Sequence, residues 1–212
     1  MTGDKWYFGE APLPEVVELA TVLRELTSTV LSLEQAPPEL GELTEALHAA
    51  TRTLAASAPS DLTPRIGEHP TPEQRVYVDH GYDVGAYNPC FPEYTLEVEG
   101  TGARGTVEFP IAYEGPPGIV HGGFLAVFFD CVLQQLNCEL GLAGKTAELS
   151  LRFRRPAPLL TPLLYRAERT FEDNRIVLHA ELLCGDDLLC EAHMRAAKGN
   201  HDALPAVSPR RA

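Results

Sequence analysis

The stretch Gly115–Asp130, GPPGIVHGGFLAVFFD, decides how the rest of the chain is read. A turn-rich loop passes through His121, Gly122 and Gly123. It then enters a run, FLAVFFDCVLQQLNCEL (124–140), that contains neither glycine nor proline and is apolar on nearly all sides at its start. That pattern predicts one long buried helix. Asp130 interrupts it, flanked by Phe128, Phe129, Cys131, Val132 and Leu133. A buried charge is costly unless it is paired or has a task.

Strand signals lie on both sides of this helix. YTLEVEG (94–100) and ARGTVEFPIAY (103–113) alternate as strands do and precede it. TAELSLRF (146–153), LLYRAERTF (163–171), RIVLHAELL (175–183) and LLCEAHMRA (188–196) follow. The short turns EDN and GDD between the last three predict an antiparallel meander. Strand, strand, buried helix and four strands make an α+β domain. A curved antiparallel sheet folded around the helix is the economical way to cover it.

Before residue 76 the pattern differs. Val16, Leu19, Val22, Leu23, Leu26 and Val30 recur at helical spacing, as do Leu40, Leu43, Leu47 and Leu54, with Pro37 and Pro38 between. Two amphipathic helices forming a hairpin are expected, followed by the proline-rich linker APSDLTPRIGEHPTPEQ (58–74). The division is therefore 1–75 for the helical hairpin and linker, 76–198 for the α+β domain, and 199–212 for a disordered tail.

The 212 residues carry a formal net charge of −13. This argues against a nucleic-acid partner and against an anionic membrane surface. No apolar run is long enough to span a bilayer. Five cysteines, without zinc spacing and without a signal-peptide start, predict a reducing cytoplasm. His179, His193 and His201 lack ligand spacing, so no metal site is expected. No nucleophile elbow supports a Ser–His–Asp arrangement.

The central stretch also carries chemistry. Gly122 and Gly123 serve either a tight turn or the close approach of a ligand to the free N–H groups of a helix start, a site for an anion or a developing oxyanion. His121 either bonds a ligand, caps the helix or fills the loop. Asp130 is either neutralised by a core arginine or a backbone group, or is a general base or nucleophile. Cys131 points about 100° around the helix from Asp130 and reads as packing. Gly123 and Asp130, seven residues apart, share a helix face but stand about 10 Å apart along the axis. If both act on one substrate, two antiparallel copies of the helix must meet across a two-fold axis.

These residues resemble the hotdog-fold acyl-CoA thioesterase superfamily, in its PaaI-like branch. The resemblance rests on His-Gly-Gly with Asp nine residues after the His, on TAELSLRFRRPAPL after the helix, and on NPCF (88–91), over about residues 85–197. It implies a five- or six-stranded antiparallel sheet wrapped around the 124–140 helix, with the N-terminal helices as an extension. It also implies a homodimer formed through that sheet, or a tetramer, and hydrolysis of an acyl-CoA thioester in fatty acid metabolism. Coenzyme A is then part of the substrate and no cofactor is needed. By motif position Gly122 supplies the oxyanion N–H, assisted by Gly123. Asp130 of the other subunit activates water or attacks the carbonyl, His121 positions the thioester, and Thr146 orients the water or the carboxylate.

One position departs from that pattern. Many relatives carry Asn six residues before the His, where this chain has Gly115, with Glu114 beside it as a substitute. A non-catalytic acyl-CoA binding or regulatory module on the same fold is the alternative this raises. Arg152, Arg154 and Arg155 offer a grip for the phosphates of coenzyme A, or pair with Glu148 or Glu168. Phe124, Phe128 and Phe129 are the aromatic residues whose packing would shape an acyl tunnel.

Overall fold

The structure is a computed structural model that describes residues 12–57, 83–141, 144–172 and 175–198. The proline-rich linker and the 199–212 tail lie outside these residues. The described chain falls into two compact units, Met1–Leu31 with Gly67–Gly199, and Ser32–Ile66 with Asn200–Ala212.

In the larger unit, helix α1 (Pro14–Leu31) is followed by a short turn of helix α3 (Val84–Tyr87), strands β1 (Glu97–Glu99) and β2 (Gly102–Val107), and helix α4 (Gly122–Glu139). Strands β3 (Gly144–Phe153), β4 (Leu163–Glu172), β5 (Arg175–Cys184) and β6 (Asp187–Lys198) complete it. The six strands form one sheet in the order β1-β2-β4-β5-β6-β3, with every described pairing antiparallel. The α+β reading holds, and β4-β5-β6 is the expected meander. The smaller unit contains helix α2 (Glu39–Ala56), which buries no residue.

The first two strands are shorter than their alternation suggests. β2 stops at Val107 and Ile111–Tyr113 turns into a single 3₁₀ turn. Pro110, which has no N–H for a ladder, stands at that boundary. The turn matters because it aims the chain into the loop that begins α4.

Helix α4 packs against β3, β4, β5 and β6. Leu125, Phe128, Phe129, Val132, Leu133 and Leu136 are buried. Phe128 is the hub, with ring centroids 5.2 Å from Phe129, 5.3 Å from Tyr165, 5.6 Å from Phe109 and 6.0 Å from Tyr94. Phe128 and Phe129 are fully enclosed within one chain, whereas Phe124 is only partly buried. Phe128→Ala removes the centre of this cluster. It is expected to cost about 3–5 kcal/mol, read as a lower urea midpoint with an unchanged m-value.

The helix is not covered all round. Gly123 is exposed, and Val127, Asp130 and Gln134 are only partly buried. Positions 123, 127, 130 and 134 form one stripe along the helix. The sheet thus covers one side of α4 and leaves this stripe open. Strand β3, which follows the helix, is an edge of the sheet.

Helix α1 corrects the reading of its own pattern. Leu19, Val22 and Val30 are exposed, whereas Ala20 and Arg24, one turn apart, are buried. The partners of Arg24 explain this and are taken up below.

Asp83, the residue before α3, is held in a left-handed conformation with φ 38°. Its carboxyl is pushed up from 3.8 to about 6, first by burial and then by Glu93, against the amides of Gly85 and Ala86 and the charge of Arg24. The folded state therefore holds this proton more tightly than the unfolded chain does. The contribution to stability is present below about 3.8 and is lost as the pH rises through about 6. Asp83→Asn keeps the shape and tolerates the positive φ. The variant is expected to melt higher than the wild type at pH 7 and to show a flatter pH dependence of Tm between 4 and 6.

Candidate active site

The loop from Tyr113 to His121 is closed at its base, where the His121 N–H donates to the Tyr113 carbonyl at 2.9 Å. Inside it, the Gly115 N–H donates to the Ile119 carbonyl at 2.8 Å. Glu114 Oε1 accepts from the Gly118 N–H at 2.7 Å, and Gly118 has φ 76°. Glu114 therefore spends its carboxylate holding the loop together. A β-carbon on Gly115 would stand 2.8 Å from His121 Cα, so a side chain there would push against backbone. The departure at Gly115 is built into the packing of this loop. Glu114 does not reach across to replace an asparagine.

His121 settles as the helix cap. Its backbone is extended (φ −64°, ψ 132°), and its Nδ1 accepts from the Gly123 N–H at 3.0 Å. Two consequences follow. In neutral imidazole the proton then sits on Nε2, facing outward as a donor. The Gly123 N–H is already used, so of the two glycine donors expected for an oxyanion only Gly122 is uncommitted among the described hydrogen bonds. Gly122 is the first residue of α4, where the N–H has no partner in the helix and the dipole is positive.

A residue not singled out in the sequence stands over that donor. Phe153, at the end of β3, is 57% exposed, yet a β-carbon on Gly122 would lie 3.1 Å from its Cζ. Its ring flanks the helix start. Strand alternation carries the signal, since Leu149, Leu151 and Phe153 share the face that packs toward α4. On the other side, Phe124 is partly buried, with its ring 4.8 Å from Tyr113 and 6.1 Å from His121.

Asp130 lies farther along the open stripe and is only partly buried. The full burial inferred from its neighbours is thus absent in a single chain, and among the described residues no arginine pairs with it. Instead Thr146 Oγ1 donates to Asp130 Oδ1 at 2.6 Å, and Gln134 Nε2 donates to Thr146 Oγ1 at 2.6 Å. This relay runs from α4 to β3 and back, next to a register irregularity between Thr146 and Glu148. It orients the carboxylate and leaves Oδ2 without a hydrogen bond among the described residues. Gln134 was not anticipated, although it sits one turn beyond Asp130. The Cys131 thiol is pushed up to about 12, first by burial and then by Asp130, which suits packing and not nucleophilic attack.

The arginines are placed together at the end of β3 but are largely committed. Arg154 Nε meets Glu191 Oε2 at 2.5 Å, and Arg155 pairs with Asp187. Arg152 stands opposite Glu191 in the register, and Glu191 is held below the ordinary carboxylate range first by its hydrogen bond from Arg154. The partners expected from sequence, Glu148 and Glu168, are not the ones found; Glu148 pairs with Arg195.

Sheet pairing also gathers a group that spacing did not reveal. His179, Glu181 and Glu191 bring ligand-type atoms within 4.8 Å of one another on the outer face, with the His193 ring 4.5 Å from that of His179. Both carboxylates already face guanidinium groups, Glu181 that of Arg166 and Glu191 that of Arg154. An open cavity of about 500 Å³ beside this group, lined by Glu99, Thr101, Arg166 and Glu168 among others, touches neither Gly122 nor Asp130.

No family model matches the chain. Among solved structures, one of a thioesterase superfamily protein is 26% identical, covers 91% of this chain and 100% of its own, and superposes with a TM-score of 0.72. A phenylacetic acid degradation-related protein of Ralstonia eutropha JMP134 is 24% identical over 48% of this chain and 82% of its own, with a TM-score of 0.44. A thioesterase protein of Streptococcus pneumoniae TIGR4, solved with coenzyme A, is 19% identical over 51% of this chain and 90% of its own, with a TM-score of 0.47.

Proposed function

We propose that this chain, a hotdog-fold protein similar over nearly its whole length to a thioesterase superfamily protein, hydrolyses an acyl-CoA thioester at a site shared between two copies. The observation that carries the reading is the open stripe on α4. It begins at the helix start, next to the uncommitted Gly122 N–H, and carries an oriented carboxylate near its middle, beside the edge strand β3. Eight residues of helix put Gly122 and Asp130 about 12 Å apart along the axis, too far to act on one carbonyl from the same helix. Antiparallel pairing of two β3 edges would continue the sheet and satisfy their unpaired backbone groups. It would lay stripe against stripe, so that Asp130 of one copy approaches Gly122 of the other.

In such a site the Gly122 N–H and the helix dipole stabilise the oxyanion, and His121 Nε2 donates to the thioester carbonyl. Asp130 of the second copy takes a proton from water as its oxygen bonds to the acyl carbon. The same proton then reaches the departing thiolate, so the products are free acid and coenzyme A. Thr146 and Gln134 keep one oxygen of Asp130 fixed while the other meets the water. Arg152, with Arg154 and Arg155 beside it, is the group available to the phosphates.

Gly115 favours one competing reading, a module that binds acyl-CoA without cleaving it, because the loop offers no amide side chain there. A panel of acyl-CoAs of increasing chain length, assayed for free thiol and by calorimetry, separates the two. Saturable thiol release supports the enzyme. Saturable binding with no thiol release supports the binding module and removes the hydrolytic reading.

A further inference from the structure

Arg24 of α1 is 5% exposed, and every nitrogen of its guanidinium is engaged. Nη2 donates to the Gly85 carbonyl and, at 3.4 Å, to that of Phe91. Nη1 pairs with Glu93 Oε1 at 3.0 Å, and Nε donates to Tyr113 Oη at 3.3 Å. One turn on, Ser28 Oγ accepts from the Ala112 N–H at 3.3 Å. On α1 the arginine is buried while Leu19, Val22 and Val30 are exposed and Leu23 and Leu26 only partly buried, an inversion that a mere surface brace would not need. What it grips matters. Tyr113 is 2% exposed, its carbonyl takes the His121 N–H, and its ring packs on Phe124. Arg24 thus stands one residue away from both the cap of α4 and the wall beside it.

We infer that Arg24 is a positioning residue for the helix-start half of the site, acting through Tyr113, and that α1 is thereby part of the catalytic machinery. This rests on the hydrolytic reading above. The flat fork of the guanidinium serves two carbonyls, a hydroxyl and a carboxylate at once, a set that a lysine ammonium does not reproduce. With the fork gone, the base of the 113–121 loop loosens, and the Gly122 N–H no longer holds its aim. Such misplacement lowers the transition-state term and leaves ground-state binding of the distant coenzyme A moiety in place.

The test is a double-mutant cycle on the full chain with Arg24→Lys and Tyr113→Phe, the latter deleting only the hydroxyl. Each single variant is expected to lower kcat about 10-fold with KM changed less than about twofold. The Tyr113 hydroxyl also donates to the Pro89 carbonyl at 3.3 Å, but the bond that both variants lose is the one from Arg24 to Tyr113, so the double variant is expected to fall no further than the lower single variant. Deuterium exchange of the 113–123 peptide should rise in both single variants, with β4–β6 unchanged. Additive losses, equal losses in kcat and KM, or unchanged exchange of 113–123 would overturn the inference. If the wild-type protein releases no thiol, the hydrolytic reading fails. The exchange measurement still decides whether Arg24 fixes the loop through Tyr113. Should Arg24→Lys not fold, Tyr113→Phe alone must still show raised exchange at 113–123, and its absence overturns the inference.

Discussion

Asp130→Asn is expected to lower thiol release by about 10²–10⁴-fold while leaving the protein folded and self-associated. The substitution removes the proton acceptor but keeps an oxygen to receive the hydrogen bond from Thr146 Oγ1, so the relay from Gln134 survives. Because Asp130 is only partly buried in one chain, an amide there leaves no group stranded in the core. Melting temperature and size-exclusion volume should match the wild type. Activity within twofold of wild type would exclude Asp130 from the chemistry.

Gly122→Pro is the second large effect, and it targets the other half-site. Proline at the first helical position fits the helix and deletes the N–H outright. The residue before it must be extended, and His121 already is, with ψ 132°. Loss of one oxyanion donor is expected to cost about 10²–10³ in kcat. Gly122→Ala is the control. It retains the N–H and asks only that the Phe153 ring, an exposed side-chain end, give way. Equal activity in the two variants would remove the Gly122 N–H from the mechanism. The two lesions also report on the dimer. In a mixed dimer of Asp130→Asn and Gly122→Pro chains, one of the two sites has both groups intact. Coexpression at equal levels should recover about a quarter of wild-type activity, while either variant alone stays inactive. No recovery would argue that both groups belong to one chain.

The alternating segments and the Gly-free apolar run predicted the helix and six strands, because period-2 and period-3.6 patterns record burial directly. They overreached at 103–113, where one proline outweighs the alternation around it. The placement of His121 and Gly122 at the helix start and of Asp130 within the helix was likewise legible, since these are local features. Thr146 was carried by resemblance alone. Its bond to Asp130 spans a helix and a strand sixteen residues apart, and spacing contains no such geometry.

Other features were not decided by spacing either. The commitment of the Gly123 N–H to His121 depends on one rotamer. The partners of Arg154 and Arg155 are set by the register of β3 against β6, which only the folded sheet defines. Phe153 gains its place over Gly122 because the end of an edge strand returns to the start of the helix.

By itself the sequence determined the class of fold, the position of the central helix and the placement of Gly122, Gly123 and Asp130 along it, because each of these follows from the pattern of residues along the chain. Only the tertiary structure decided that Glu114 closes its own loop, that one glycine N–H and not two is uncommitted, and that Arg24 is buried while its leucine neighbours are not. The first two depend on the rotamers a short loop adopts, and the third on the hydrogen-bond partners that distant segments bring to Arg24. A polar group is placed by its partners, whereas an apolar one is placed by its pattern.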